Sequence, residues 1–185
     1  MRYNCTGRAD GGEPWSIRAR STVVTLSDRD TRELGKRGIA GKRNILVALS
    51  GTPIDTDLVR MACFMAKHSK GRVYLVHVLE VPRNLPLDAP LQDPEVDAIL
   101  DRALAVAEEA NYEVEPEVVQ ARDAGPGIVD EARDRDCSLI LLGLVPRFRF
   151  GRFDMGRTVP YVLEHAAGRV FVVRESGQTG PTPAL

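Results

Sequence analysis

Cysteine, histidine, aromatic side chains and net charge are all scarce in this 185-residue chain, and each scarcity closes off a class of function. The three cysteines, Cys5, Cys63 and Cys137, are an odd number at wide spacing with no C-x-x-C pair, which argues against a disulfide framework and a thiolate zinc site. Cys63 and Cys137 sit in apolar stretches, where a free thiol packs as a small hydrophobe, and a reducing cytoplasm is the expected compartment. The histidines, His68, His77 and His165, have no spacing that couples them to a nucleophile or a metal, so each is expected to be structural. A formal net charge of -1 gives no global field to attract nucleic acid or anionic lipid, and an anion site must come from a local cluster. No apolar run is long enough to cross a bilayer, and the first residues lack the apolar core of a signal peptide, so membrane insertion is not expected.

What is present fits one soluble globular domain: 43% hydrophobic and 28% charged residues in a length suited to a single core. Residues 1–42 mix Gly, Arg, Asp, Ser and Thr and read as an appendage of weak structure, with a lone Trp15 and one apolar patch at 23–26 able to form an isolated strand. From Arg43 a regular pattern begins. The continuous apolar run 44–49 suits a strand covered on both faces. Leu58, Met61, Ala62, Met65 and Ala66 then recur at helical spacing up to Gly71.

The second strand spans 73–79, and a Pro-rich stretch over 81–93 leads to a helix with its stripe at Val96, Ile99, Leu100, Ala103, Leu104 and Ala107. A third strand over 114–120 alternates Glu with Val or Pro, as a sheet edge with one wet face does, and Pro116 points the same way. Asp123-Ala-Gly-Pro126 opens a third helix through Ala132, and 137–142 is a fourth, apolar strand. After an arginine-rich loop, 157–167 fits a fourth helix and 170–173 a fifth strand, with a loose tail over 175–185. The domain is therefore expected over 43–174.

Alternating strands and helices require an α/β domain with a single doubly wound five-stranded parallel sheet, here in the order 3-2-1-4-5. Ligands of such sheets sit beyond the carboxyl ends of the strands where the order reverses, between the first and fourth. Two loops matter most, 50–53 and 143–156.

The second of these opens at Gly143 and closes at Gly156, at the start of a helix. Helix N-termini expose unpaired N–H groups and partial positive charge, so Gly156, Arg157, Thr158 and Val159 offer a phosphate their backbone. Arg147, Arg149, Arg152 and Arg157 add guanidinium donors. The same pattern is compatible with solvated arginines and a plain helix cap. Phe148, Phe150 and Phe153, which interleave with the arginines, suit folding back onto the sheet better than stacking on bases.

With those residues in view, the chain resembles the universal stress protein family over about residues 42–174. Asn44-Ile-Leu-Val-Ala-Leu-Ser-Gly-Thr-Pro53 is similar to the family's opening strand and turn, Leu75-Val-His-Val78 to its second strand, and Leu139-Ile-Leu-Leu-Gly143 to its fourth. ATP-binding members carry G-x2-G-x9-G-[ST], a spacing that falls on Gly143, position 146 and Gly156. Pro146 stands at the second glycine, Arg157 at the serine or threonine with Thr158 one step later, and Ser50 where such members have an acidic residue. Pro146 offers no N–H, whereas Arg157 offers a side-chain contact.

The resemblance implies an adenine nucleotide alpha hydrolase-like fold and an anionic adenine nucleotide as ligand: ATP, AMP, or cyclic di-AMP as in transporter-linked relatives. It places Ala48, Leu49, Ser50 and Val78 on the base and ribose side, and Leu142, Gly143, Gly156, Arg157, Thr158 and Val159 on the phosphate side. Ser50 reads equally as a turn residue and Val78 as core. The acidic pairs Glu108-Glu109 and Asp134 with Asp136 read as solvated charge, and Asp154 is the loop carboxylate available to a slow ATPase. The function expected is non-enzymatic, a stress or regulatory domain that binds an adenine nucleotide as a homodimer formed through the apolar edge strand 170–173. The alternatives are a ligand-free dimeric interaction module and a cyclic di-AMP-sensing partner of a transporter.

Overall fold

The computed structural model describes residues 2–5, 17–20, 43–91, 93–145, 147–149 and 152–174. In chain order the elements are β1 (Arg2–Cys5), β2 (Ile17–Arg20), β3 (Asn44–Leu49), α1 (Ile54–Ser69), β4 (Val73–Glu80), α2 (Pro94–Glu109), β5 (Glu115–Ala121), α3 (Ala124–Asp134), β6 (Cys137–Leu144), β7 (Arg147–Arg149), β8 (Arg152–Asp154), α4 (Thr158–His165) and β9 (Arg169–Arg174). The sheet order is β2-β1-β5-β4-β3-β6-β9. From β5 to β9 every pairing is parallel, so the five strands expected from the apolar runs lie side by side in the expected order.

Each helix buries an apolar stripe, although Met61, expected in that of α1, is 36% exposed. Leu58, Val59, Ala62, Cys63 and Ala66 of α1 pack with Ile99, Leu100, Ala103 and Ala107 of α2 over one face of the sheet. Ile128, Val129 and Ala132 of α3 pack with Val159 and Val162 of α4 over the other. Pro94 opens α2 directly after Asp93, whose side chain accepts the Glu95 N–H at 3.0 Å, a cap that the sequence Asp-Pro-Glu provides locally. Each histidine Nδ1–H donates to a carbonyl, His68 to Phe64, His77 to Leu49 and His165 to Tyr161, the satisfied structural role expected of them.

The third parallel strand departs from expectation. It is not the sheet edge, because β1 pairs with it antiparallel (Arg2 opposite Val119, Asn4 opposite Glu117) and β2 pairs with β1 in turn. Nor is its glutamate face open to water at Glu117, which is 3% exposed, and Gln120 on the opposite face is equally buried. Arg135, just past α3, accounts for Glu117: its guanidinium pairs with the Glu117 carboxylate, donates to Glu131 Oε1 at 2.7 Å and lies 4.9 Å from the Tyr74 ring centre. A buried carboxylate with a hydrogen-bonded arginine replaces the expected solvent. Trp15 and the 23–26 patch lie outside the described residues.

The Pro-rich connection between β4 and α2 is tied to the end of β5 by side chains. Arg122 donates to the carbonyls of Val81, Pro82 and Leu85, and Gln120 Nε2 donates to that of Ala89 at 3.0 Å.

Candidate functional site

The strand order reverses between β3 and β6, where Ala48 lies opposite Leu142, and the loops leaving these two strands form the candidate site. The helices of a parallel sheet run back from the carboxyl ends of the strands, so the N-termini of α1, α3 and α4 all lie at this edge.

On the β3 side the turn is closed from within. Gly51 adopts φ +78°, a left-handed conformation that glycine alone enters at no cost, and an added Cβ would stand 2.9 Å from Ile99 Cδ1. The carboxylate of Asp55, in the first turn of α1, accepts the N–H groups of Ser50 at 3.0 Å and Gly51 at 2.7 Å and the Ser50 hydroxyl at 3.1 Å. Burial pushes the Asp55 carboxyl above its ordinary value, and these hydrogen bonds offset only part of that. Sequence reasoning missed Asp55, although an aspartate in a first helical turn six residues after a strand end was a readable signal for an anion facing orphan amides.

Gly143 has a packing reason of its own. A Cβ there would lie 2.5 Å from Ile54 Cγ2, so the first turn of α1 rests on the bare backbone of β6. The strand pleat divides the remaining expected residues. Ala48, Leu142, Val159 and half-buried Val78 belong to the layer under α3 and α4, while Leu49 belongs to the layer under α1 and α2. Ser50 is exposed at the mouth, with its hydroxyl 2.8 Å from that of Thr52.

On the β6 side the chain is more open, and its structure differs from the expected loop. β7 and β8 form an antiparallel hairpin with Phe148 opposite Phe153. The run Arg-Phe-Arg-Phe-Gly-Arg-Phe alternates with period two, which is a hairpin signal. Phe153 is 44% exposed, so its ring is only partly covered. Pro146 lies outside the described residues, as do the side chains of Arg147, Phe148, Arg149, Phe150 and Arg152.

The hairpin delivers the chain to α4. Gly156 has φ +69° with open space about it, and its N–H donates to Asp154 Oδ1 at 2.9 Å. Arg157 is the N-cap residue and gives no side-chain cap, and Thr158 is half-buried. The Arg157 side chain, 86% exposed, stands 3.6 Å from Asp123 Oδ1 at the start of α3. Gly125 brings the two helices together, since a Cβ on it would meet the Tyr161 ring at 2.9 Å. The structure thus brings Gly156, Arg157, Thr158 and Val159 to one corner with Asp154, the loop carboxylate already singled out in the sequence, and with Asp123, which the sequence pattern did not assign to it.

Among the described residues no group of three or more His, Cys, Asp or Glu side chains is arranged to hold a metal ion, and no helix is long and apolar enough to cross a membrane.

The profile of the universal stress protein family matches residues 42–174. A universal stress protein from Archaeoglobus fulgidus superposes with a TM-score of 0.60 at 21% identity, covering 71% of this chain and 98% of that one. One from the same organism in complex with dAMP gives 0.55 at 21% identity, covering 70% and 96%. A universal stress protein in complex with cAMP gives 0.56 at 16% identity, covering 72% and 98%. These likenesses show a shared fold. No curated protein sequence matches the chain.

Proposed function

Because this chain belongs to the universal stress protein family, we propose that it is a nucleotide-binding regulatory domain whose ligand is an adenine nucleotide with a short phosphate group. The observation that carries this reading is the start of α4: a first turn without a side-chain cap, next to an exposed guanidinium, at the point where the strand order reverses. The dAMP and cAMP complexes of structurally similar proteins support the ligand class. One helix end and one arginine suit a single phosphate; the Ser50 and Gly51 amides are committed to Asp55, and Pro146 has no N–H to add for a longer chain. Ala48, Leu142 and Val78 supply the apolar side of the site, and Arg157, Thr158 and Val159 the phosphate side.

Calorimetric titration with AMP, ATP and cyclic di-AMP tests this. AMP is expected to bind more tightly than ATP, with a Kd below about 1 mM, a weak but measurable affinity. No heat and no thermal shift with any of the three would refute the reading. Cyclic di-AMP binding alone would favour the transporter-linked alternative.

We further propose a homodimer through β9. Phe171 on this strand is 45% exposed, and beyond β6 the strand has no neighbour among the described residues, which leaves backbone donors and acceptors for a second copy. A monomer in sedimentation at working concentration would overturn it. The proposal includes no catalysis: Asp154, the carboxylate nearest the corner in sequence, is bonded to the Gly156 amide. That same bond favours a second reading, a ligand-free interaction module. It predicts that removing the Asp154 charge leaves nucleotide heat at zero.

A further inference from the structure

Asp123 occupies the N-cap position of α3 with extended backbone, φ -141° and ψ 140°, yet its side chain makes no capping hydrogen bond. An aspartate here ordinarily accepts the N–H of the second or third helical residue. The third helical residue of α3 is Pro126, which has no N–H, and the first amide of the helix, that of Ala124, is taken by Glu80 Oε1 at 2.8 Å. Making no capping bond, the carboxylate instead stands 3.6 Å from the Arg157 guanidinium and 4.0 Å from that of Arg83.

We infer that Asp123 is a built-in competitor for the nucleotide phosphate: a tethered carboxylate that occupies Arg157 in the empty protein and must be displaced for a phosphate to bind. The inference rests on the nucleotide-binding reading and names what limits affinity at that site. Arg157 is 86% exposed and Asp123 40%, so the pair is solvated and weak enough to exchange, unlike a buried one. A phosphate offers the guanidinium a more highly charged bidentate partner than a carboxylate does. Once displaced, Asp123 stays beside the bound anion, so it sets the affinity through both the pairing it loses and the repulsion it adds.

The test is calorimetric titration of AMP into the full chain, Asp123→Asn, Arg157→Gln and the double variant at one ionic strength. Asp123→Asn is expected to tighten AMP about two- to fivefold, the value of an exposed ion pair expressed as an affinity ratio. Arg157→Gln is expected to weaken AMP, and adding Asp123→Asn to it should change affinity by less than the gain seen with Arg157 present. Asp123→Ser, which keeps an N-cap oxygen without charge, should reproduce the gain. Unchanged affinity in both Asp123 variants overturns the inference, as does a gain of equal size with Arg157 absent. If none of the proteins binds AMP, ATP or cyclic di-AMP, the nucleotide reading falls and this inference with it, a result distinct from wild-type binding that Asp123 does not affect.

Discussion

The two ends of α3 carry the same chemistry in opposite settings. At its carboxyl end Arg135 is 22% exposed and holds two buried carboxylates, Glu117 at 3% and Glu131 at 1% side-chain exposure. At its amino end Arg157 meets Asp123 in water. Burial forces the first group to stay together, because a charge left without its partner there has nothing else to solvate it. Exposure lets the second come apart, because water and other anions stand in. The difference separates an ion pair that fixes the fold from one that a ligand can exchange.

Removing the buried arginine breaks the comparison most severely. Arg135→Gln is expected to cost about 3–5 kcal/mol, since it removes the cation that pairs with the buried Glu117 and Glu131 carboxylates. Urea unfolding measures it, and a loss below about 1 kcal/mol would show that the sealed end is no different from the open one.

Asp55 is the intermediate case, a buried carboxylate held by amides and a hydroxyl with no cation among its bonded partners. Its folded-state value is raised above 3.8, so the folded protein takes up this proton more readily than the unfolded chain. The stability of the wild type relative to Asp55→Asn should therefore rise as pH falls from the raised value toward about 3.8, and be flat outside that window. Paired melts across that range measure it, and a relative stability that falls on acidification would reverse the assignment.

Gly156→Ala puts a side chain at φ +69° where space is open, so only the backbone penalty is felt. A loss of about 1 kcal/mol is expected from thermal melts. The smallest effect belongs to the open ion pair. Asp123→Asn should change unfolding free energy by less than about 0.5 kcal/mol, and a larger loss would mean that this end of α3 is also structural.

The parallel sheet was legible because 44–49, 73–79 and 137–142 are apolar along their length, and a strand pattern of that kind depends on nothing distant. Polar segments were not. Arg-Tyr-Asn-Cys and Ile-Arg-Ala-Arg form β1 and β2 through their pairing with β5 and each other, which four residues cannot announce. The burial of Glu117 depends on Arg135, 18 residues later, so the local alternation pointed to solvent. In the candidate site the glycines and Arg157 were readable from spacing. Asp154 was visible as the loop carboxylate, but Asp123 was not, because it meets a donor brought close only by the packing of two helices, and such a residue reads first as an ordinary cap.

The guanidinium of Arg122 and the amide of Gln120 bear on how the molecule ages. A proline-rich connection on a surface is where peptidases usually enter, since they need several residues of backbone to pull into an extended shape. Here the carbonyls of Val81, Pro82, Leu85 and Ala89 are held by two side chains of a neighbouring segment. Cleavage there requires first letting go of those anchors, so the longevity of this connection is set by residues 120 and 122 as much as by its own composition.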